Sequence, residues 1–411
     1  MRNNEPNEIS RELLGVSGLN PWVGHVASPR IQMWGSHISQ TLVVDGSTER
    51  YCQTGMEREY GKYTFSIKVP GDPARNDGIE IIKVLERYPN KIGYGSISLN
   101  PQTMVIYQDI NSKEIGIINI PNYCSNHPYF GFNYKGTSAL NEVRKGAFLA
   151  AGTILADSPN ITPNGGYKYG IQCNMAFMTH PSVSEDSVMV SRSALKKLTY
   201  HTFEVRTVEW GSKSFALNLY GNENNHKPFP DIGEYIRDDG LLMCLRSYDK
   251  NLAAVEQSIN DVREPDFIFD KLTYAGGAGG RVIDIKIQRN IQNPNSDYTG
   301  PMDAQAEKYD MATRDFYSEI VKTYNILKKD YGDALRLTPE FHRTVVEALS
   351  MTDNEQHRIS KLFRNTPIDD YRVEFVIEYT IVPGIGNKIS DTHGIYQLNP
   401  MNSLTILKTL V

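Results

Sequence analysis

Arg372-Val-Glu-Phe-Val-Ile-Glu-Tyr-Thr-Ile-Val382 has the clearest strand pattern in this sequence. Apolar side chains stand at every second position from Val373 to Ile381, and charged or polar residues fill most of the positions between them. Successive side chains of a strand point to opposite faces, so the apolar set would share one side. The pattern predicts a long β-strand with one face in a core.

Shorter strand-like segments extend outward from this one and are broken by Gly, Pro, Asn and Asp. Predicted strands include Gln102 to Asn119, Val188 to Val190, Tyr200 to Glu209 and Arg281 to Ile287. The glycine-rich run at 276–280 opens the last of them. A dinucleotide-binding loop follows a strand and opens a helix, so we interpret this run as a turn between strands.

Two regions have the spacing of helices instead. From Pro301 to Tyr331, apolar residues recur every three, four or seven positions, which predicts one long amphipathic helix. Leu337 to Phe363 is a second predicted helical region, with Thr338 as its cap. We interpret Ser28 to His37 as a polar loop and Tyr220 to Pro230 as a loop joining two modules. The expected fold class is therefore β-rich α+β.

Composition limits the functional classes. The 411 residues are 40% hydrophobic and 22% charged, with a formal net charge of −5, which is typical of a globular protein. A general nucleic-acid coat would need a basic surplus, although a local basic groove is compatible with this charge. The four cysteines lack metal-ligand or redox spacing, and no run approaches the ~18–20 apolar residues of a membrane span. We expect a soluble, intracellular protein with no membrane partner.

Two short segments carry groups suited to phosphate chemistry. Glu185 and Asp186 are adjacent acids before a predicted strand, and such a pair suits a metal-bound phosphate but is more often a solvated surface feature. Lys388 and His393 lie in the glycine-punctuated turn Pro383 to Gly394 after the strongest strand. An ammonium group is a good phosphate partner, yet this turn lacks the P-loop pattern, and taken alone it indicates a solvated lysine.

The order of the motifs is more specific than any one of them. Along the chain come Thr54-Gly-Met-Glu57, Ala151-Gly-Thr-Ile-Leu-Ala-Asp-Ser-Pro159, Gly170-Ile-Gln-Cys-Asn-Met-Ala-Phe-Met178, Ser184-Glu-Asp-Ser187, Gly233-Glu-Tyr-Ile-Arg-Asp-Asp-Gly-Leu-Leu242, Gly279-Gly-Arg-Val-Ile-Asp-Ile285 and Pro383-Gly-Ile-Gly-Asn-Lys388. In this order they resemble the C-terminal half of the second-largest, or β-type, subunit of multisubunit DNA-dependent RNA polymerases.

The resemblance implies a domain organisation. Residues 140–215 and 370–398 would form a double-psi β-barrel, and residues 216–369 would form a flap-like α/β insertion with long helices. Residues 1–139 would be a β-rich region flanking the barrel and the RNA–DNA hybrid. Residues 399–411 would be a truncated or split C-terminal tail.

The resemblance also implies residue roles. Glu185 and Asp186 would lie near the triphosphate of the incoming nucleotide, with Asp186 a contact of the second magnesium ion, and Lys388 near the RNA 3′ end. His393, Arg30 and Gln40 would contact nucleotide or RNA. The catalytic Mg²⁺ would be held by an aspartate triad of a β′-type partner, because the Asn-Ala-Asp-Phe-Asp-Gly-Asp motif is not in this sequence. The chain would thus be part of a nucleotidyltransferase and inactive alone.

Departures from the family pattern favour a split subunit. The family's second lysine, three residues after the histidine, is absent, because His393 is followed by Gly394, Ile395, Tyr396 and Gln397; Ser39 stands at an arginine position. Such divergence is similar to the split β subunits of jumbo-bacteriophage polymerases. Expected partners are another β fragment, β′-like fragments, a specificity factor, template DNA, the RNA transcript and nucleoside triphosphates. The expected location is the infected cell's cytoplasm, a phage compartment or the virion. The alternative is a non-catalytic protein that keeps the β-barrel fold and binds nucleic acid or host polymerase.

Overall fold

A computed structural model describes residues 24–39, 66–75, 77–89, 100–127, 130–168, 170–178, 188–211, 214–247, 262–289, 304–352, 371–385, 395–399 and 405–407, with positions 17, 44, 46–48, 57–58 and 181. The helices in these ranges are α1 (Ser28–Ser39), α2 (Arg192–Lys197), α3 (Ala304–Tyr331) and α4 (Pro339–Thr352). The strands are β1 (Ile67–Lys68), β2 (Gly78–Glu86), β3 (Gln102–Asp109), β4 (Ile115–Pro121), β5 (Tyr123–His127), β6 (Phe130–Asn133), β7 (Lys135–Gly136), β8 (Phe148–Ala150), β9 (Ile154–Asp157), β10 (Met175–Phe177), β11 (Val188–Ser191), β12 (Tyr200–Trp210), β13 (Ser214–Ala216), β14 (Leu241–Ser247), β15 (Lys271–Tyr274), β16 (Arg281–Arg289), β17 (Tyr371–Ile381), β18 (Ile395–Asn399) and β19 (Thr405–Leu407).

A five-stranded sheet in the order β16-β17-β12-β6-β5 is the centre of the molecule. β12 and β17 are antiparallel in unbroken register, from Tyr200 opposite Ile381 to Trp210 opposite Tyr371. Val373, Phe375 and Ile377 of β17 are fully buried, as the alternation predicts. This pairing joins chain segments that are far apart in sequence.

The apolar face of this sheet is covered by α3 and by the segment before β14. Phe229 and Tyr309 are buried there, and the Phe229 ring meets Phe375 edge-on with centroids 5.2 Å apart. Asp231 anchors the covering segment, because its carboxylate accepts hydrogen bonds of 2.9 Å from both Tyr309 Oη and Gln305 Nε2. The first half of the long helix is thereby fixed to the sheet.

A second sheet, in the order β4-β3-β2-β8, is buried on both faces. On β3, Val105 and Tyr107 belong to one core and Met104 and Ile106 to another. The second core also contains Phe341 of α4 and the second half of α3. Residues 304–352, which the resemblance assigns to the insertion, therefore share a core with strands of the 1–139 region.

A third, mixed sheet has the order β10-β19-β11-β18. β11 runs parallel to β18 and antiparallel to β19, and β10 runs parallel to β19. Two three-stranded sheets, β1-β9-β7 and β13-β14-β15, complete the architecture. The chain is β-rich α+β, with one sheet curled into half a barrel, which confirms the coarse fold class.

Most predicted elements match these bounds, but Gln102 to Asn119 forms two antiparallel strands, β3 and β4, and residues 353–363 of the second helical region lie outside the described residues. The long helix is α3, and Thr338 caps α4, where its Oγ1 accepts a hydrogen bond from Phe341 N at 3.3 Å. The glycine run is a turn between β15 and β16, as predicted. None of the described helices has both the length and the apolar character of a membrane-spanning segment.

The loop predicted at Ser28 to His37 was wrong, because these residues form α1. Gly35 in the middle of the segment weakens a helical pattern, which favoured a loop in the sequence. In the structure Gly35 is buried, and a Cβ there would lie 2.0 Å from Ser17 Oγ. Ile31, one turn earlier, is also buried. The glycine allows a close tertiary contact that local propensity does not reveal.

Candidate functional site

The predicted site residues fall mostly outside the described residues. Glu185, Asp186, Lys388, His393 and Gln40 all lie there. The remaining residue of the predicted set is described: Arg30 lies in the first turn of α1 and is exposed to solvent. An exposed guanidinium on a helix can contact a phosphate without first breaking a buried ion pair.

The described strands next to the predicted residues are joined in space. Val188 of β11 is the Cα partner of Ile395 of β18 in a parallel pair. Asp186 precedes Val188 by two residues and His393 precedes Ile395 by two. Strands of a parallel pair start at the same edge of the sheet. The chain therefore enters both strands from one edge, and the two motif segments lead into adjacent strands.

The segment that leads toward Lys388 begins at the end of β17. Pro383 is buried, whereas Val382 and Ile385 on either side are 54% and 68% exposed. A Cβ added at Gly384 would meet no atom within 4 Å. The chain is therefore at the protein surface at Ile385, three residues before the lysine in sequence.

A buried carboxylate that the sequence reading did not single out lies on β17, on the face opposite the apolar core. Glu378 is 4% exposed and accepts from Arg281 Nη2 at 2.7 Å, from His201 Nδ1 at 2.9 Å and from Asn133 Nδ2. Asn133, His201 and Arg281 belong to β6, β12 and β16, so one carboxylate ties together four of the five strands.

The electrostatics of this cluster favour the ionised carboxylate. Burial alone would raise the pKa of Glu378, but the hydrogen bonds from His201, Asn133 and Arg281 outweigh it and lower the pKa to about 2. A carboxylate held this way stays charged at neutral pH and is already saturated with donors. Its chemistry is that of a structural anchor for the sheet.

A second buried ion pair lies on the same face of the central sheet, next to the Glu378 cluster. Asp284 of β16 is opposite Val376 and pairs with Arg87, which follows β2, while Tyr123 Oη donates to its other oxygen at 3.2 Å. Burial would lower the pKa of Arg87, yet Asp284 beside it raises that pKa. The pair joins the second sheet to the central one.

Neither cluster resembles a metal centre, because each carboxylate is neutralised by an arginine. In the part of the chain that the structure describes, no group of three or more His, Cys, Asp or Glu side chains is placed to bind a metal ion. Glu378 stands between Ile377 and Tyr379 in a predicted strand, so the sequence shows a charged residue within an apolar segment. Its hydrogen-bond partners are distant in sequence and could not be predicted from it.

Comparison with known proteins does not assign this chain to a family. No protein-family model matches this chain, and no curated protein matches it either.

Proposed function

We propose that this chain is a β-subunit fragment of a multisubunit DNA-directed RNA polymerase, most similar to the split subunits of jumbo bacteriophages. It would contribute residues that contact the nucleotide and the RNA 3′ end to an active centre completed by a β′-like partner. Residues 140–215 and 370–398 would form a double-psi β-barrel, with residues 216–369 inserted between them as a flap-like module.

One observation carries this proposal. The two motif segments are separated by about half the chain, yet the strands that follow them, β11 and β18, are parallel neighbours with Val188 opposite Ile395. Each residue of extended chain spans at most ~3.6 Å. Because Asp186 is two residues from Val188 and His393 is two residues from Ile395, the two side chains would lie close enough to contact one substrate.

Lys388 would act as an electrostatic group. Phosphoryl transfer spreads negative charge over the phosphate oxygens, and a positioned ammonium group stabilises that charge without moving a proton. The glycines at 384 and 386 would let the backbone approach the transcript closely. The lysine follows a long strand by seven residues, and a group attached to such a strand would be held near a fixed distance from a substrate.

Glu185 and Asp186 would orient the triphosphate of the incoming nucleotide. Magnesium ions, the catalytic one held by the β′-like partner, would supply charge neutralisation of the triphosphate. The acid pair would position the nucleotide directly or through water. Arg30 and Gln40 would provide further contacts to phosphate or base.

An apolar surface on the mixed sheet supports assembly with other chains. Met175 and Phe177 of β10 are 47% and 62% exposed, and Met178 next to them is 45% exposed. β10 is an edge strand of the mixed sheet. Exposed apolar clusters at a sheet edge mark interaction surfaces in soluble proteins. We expect a partner fragment of the polymerase to cover this surface.

The experiment is nucleotide addition by the complex assembled from this chain and its partner fragments. Lys388→Ala should slow single-nucleotide addition by about 100- to 1000-fold, the usual cost of removing one electrostatic group from a transition state. Binding of the promoter should change little. Lys322→Ala is the matched control, because Lys322 is an exposed lysine on α3 that pairs only with Glu319 of its own helix among the described residues.

The alternative function makes the opposite prediction. A non-catalytic protein with this fold would bind nucleic acid or host polymerase, and Lys388→Ala would leave nucleotide addition unchanged. It would also not co-purify with a chain that carries an Asn-Ala-Asp-Phe-Asp-Gly-Asp motif. Unchanged elongation together with no such partner would overturn the proposal.

A further inference from the structure

A cavity of about 610 Å³ lies where α3 ends and α4 begins. Its walls come from the last turns of α3, the connecting turn and the first turns of α4. Small-molecule sites usually have volumes of about 300–1,000 Å³, so the cavity is large enough for one nucleotide. None of its lining residues belongs to a motif segment, and no sequence motif indicated it.

The floor of the cavity is fixed to the second sheet. Ile115 of β4 donates its N–H to Arg336 O and accepts from Thr338 N, both at 2.9 Å. Leu335, Leu337 and Tyr324, which line the cavity, pack against the buried core between α3, α4 and that sheet. The backbone and the apolar floor of this open cavity are therefore held in place by the second sheet.

Two cations on the rim are available to an anion. Lys328 of α3 is exposed and makes no ion pair with another described residue. Arg343 of α4 pairs with Glu340 at 3.4 Å, but both side chains are more than half exposed. Exposed pairs of this kind contribute little, so Arg343 can exchange its partner for a phosphate. His342 adds a ring nitrogen to the same wall.

The other lining groups complement the rest of a nucleotide. Tyr324 stands one helical turn before Lys328 and offers an aromatic ring to a base, and stacking of this kind tolerates any base. Asp333 is the one acidic side chain among the residues that line the cavity. A carboxylate accepts hydrogen bonds from ribose hydroxyls, as the acidic residue of dinucleotide-binding folds does.

We propose that this cavity binds a ribonucleotide, with the base on Tyr324, the ribose hydroxyls on Asp333 and the phosphate on Lys328 and Arg343. The nucleotide is either a free ribonucleoside monophosphate or one residue of single-stranded RNA. The site is independent of the polymerase proposal, because its residues lie at 324–343 and none belongs to the predicted active centre.

The test is calorimetric titration of the full chain, with its partner fragments if these are needed for solubility. The probes are AMP, 2′-deoxy-AMP, adenosine, inorganic phosphate and a five-nucleotide oligoadenylate RNA. AMP should bind saturably and about tenfold more tightly than adenosine or phosphate. Tyr324→Leu and the double variant Lys328→Gln/Arg343→Gln should each weaken AMP binding about tenfold, near the size of one stacking or charge contact.

The matched control is Lys329→Gln/Arg336→Gln, which removes the same charge from exposed residues of the same hairpin that do not line the cavity. It should leave AMP binding unchanged, and circular dichroism melting should show all variants folded. If the oligonucleotide binds more tightly than AMP, the ligand is single-stranded RNA. If AMP binds as tightly as the oligonucleotide or more tightly, the ligand is a free nucleotide. Phosphate binding as tightly as AMP, an equal loss in the control, or no saturable binding of AMP and RNA would overturn the proposal.

Discussion

Glu378 is a buried carboxylate that accepts hydrogen bonds from three other strands. Removing one member of a buried ion pair leaves uncompensated charge, which is costly. An amide at this position would carry no charge and would place an NH2 donor where one carboxylate oxygen now accepts, so Arg281 or His201 would face a donor. The residue therefore matters for the stability of the central sheet, although it does not belong to the predicted active centre.

Glu378→Gln should lower the free energy of unfolding at pH 7 by roughly 3 kcal/mol. The folded-state pKa of about 2 lies below the ordinary value of 4.5, so the carboxylate contributes its full stabilisation above about pH 4.5. This contribution is lost as the pH falls from 4.5 toward 2. Urea denaturation at several pH values should show the difference between wild type and variant shrinking over that range.

Glu374→Gln is the control for this measurement. Glu374 lies on the same strand and the same face and pairs with Lys286 at 3.3 Å, but that lysine is half exposed. The substitution should change the unfolding free energy by less than about 1 kcal/mol. Equal effects of the two substitutions would mean that burial and the three donors at Glu378 have no special role.

At the scale of elements, close packing between strands depends on single glycines. Gly131 of β6 is the Cα partner of His201 in β12, next to Phe203. A Cβ at Gly131 would lie 2.2 Å from a ring carbon of Phe203 and 2.8 Å from the carbonyl oxygen of Cys124. The Phe203 ring also stacks on Tyr123, which restricts its movement away from the strand.

Gly131→Ala should therefore destabilise the protein by about 1–3 kcal/mol through overpacking. Gly277→Ala is the comparison, because a Cβ there meets its nearest atom, in Tyr379, at an ordinary 3.7 Å. Thermal unfolding followed by circular dichroism would measure both. A melting temperature for Gly131→Ala equal to that of Gly277→Ala would contradict the close approach of β6 and β12.

Much of the element list could be predicted from sequence, and the reasons for the failures are physical. The strand β17 and the helix α3 were readable because each has one apolar face with a regular period over several turns or residues. The helix α1 was missed because Gly35 serves a contact with Ser17 that is not local. The pairing of β12 with β17 was not predicted, since strand register depends on residues far apart in sequence. The family resemblance had only assigned their two segments to one barrel.

The candidate site was less predictable than the fold. The acid pair and the lysine are residue types suited to binding phosphate, but each of them taken alone is more often a solvated side chain. The polar anchor at Glu378 and the cavity near Tyr324 involve side chains brought together by packing. Neither has a motif that a linear sequence could reveal.

At the scale of the whole molecule, cores extend across the domain limits suggested by the resemblance. Phe341 of α4 is fully buried among Ile106, Ile115 and Phe316. The helical hairpin and the second sheet therefore stabilise each other, and α3 continues into the core of the central sheet through Tyr309. A loss of packing in the helical hairpin should therefore also destabilise the second sheet.

Phe341→Ala should cost about 3–5 kcal/mol, the usual range for a buried aromatic residue. Hydrogen exchange should show lost protection in β3 and β4 as well as in α4. Val346→Ala, at a position that is 54% exposed on the same helix, should stay within about 0.5 kcal/mol of wild type. Loss of protection confined to α4 would mean that the helical hairpin folds as a separate unit.

The central claim is that two distant segments converge on one transcript end, and cross-linking tests it most directly. A stalled elongation complex containing this chain would carry a photoreactive nucleotide at the RNA 3′ terminus, and cross-linked peptides would be mapped by mass spectrometry. The account predicts cross-links in both 181–191 and 385–399. Cross-links to this chain that avoid either segment would contradict it.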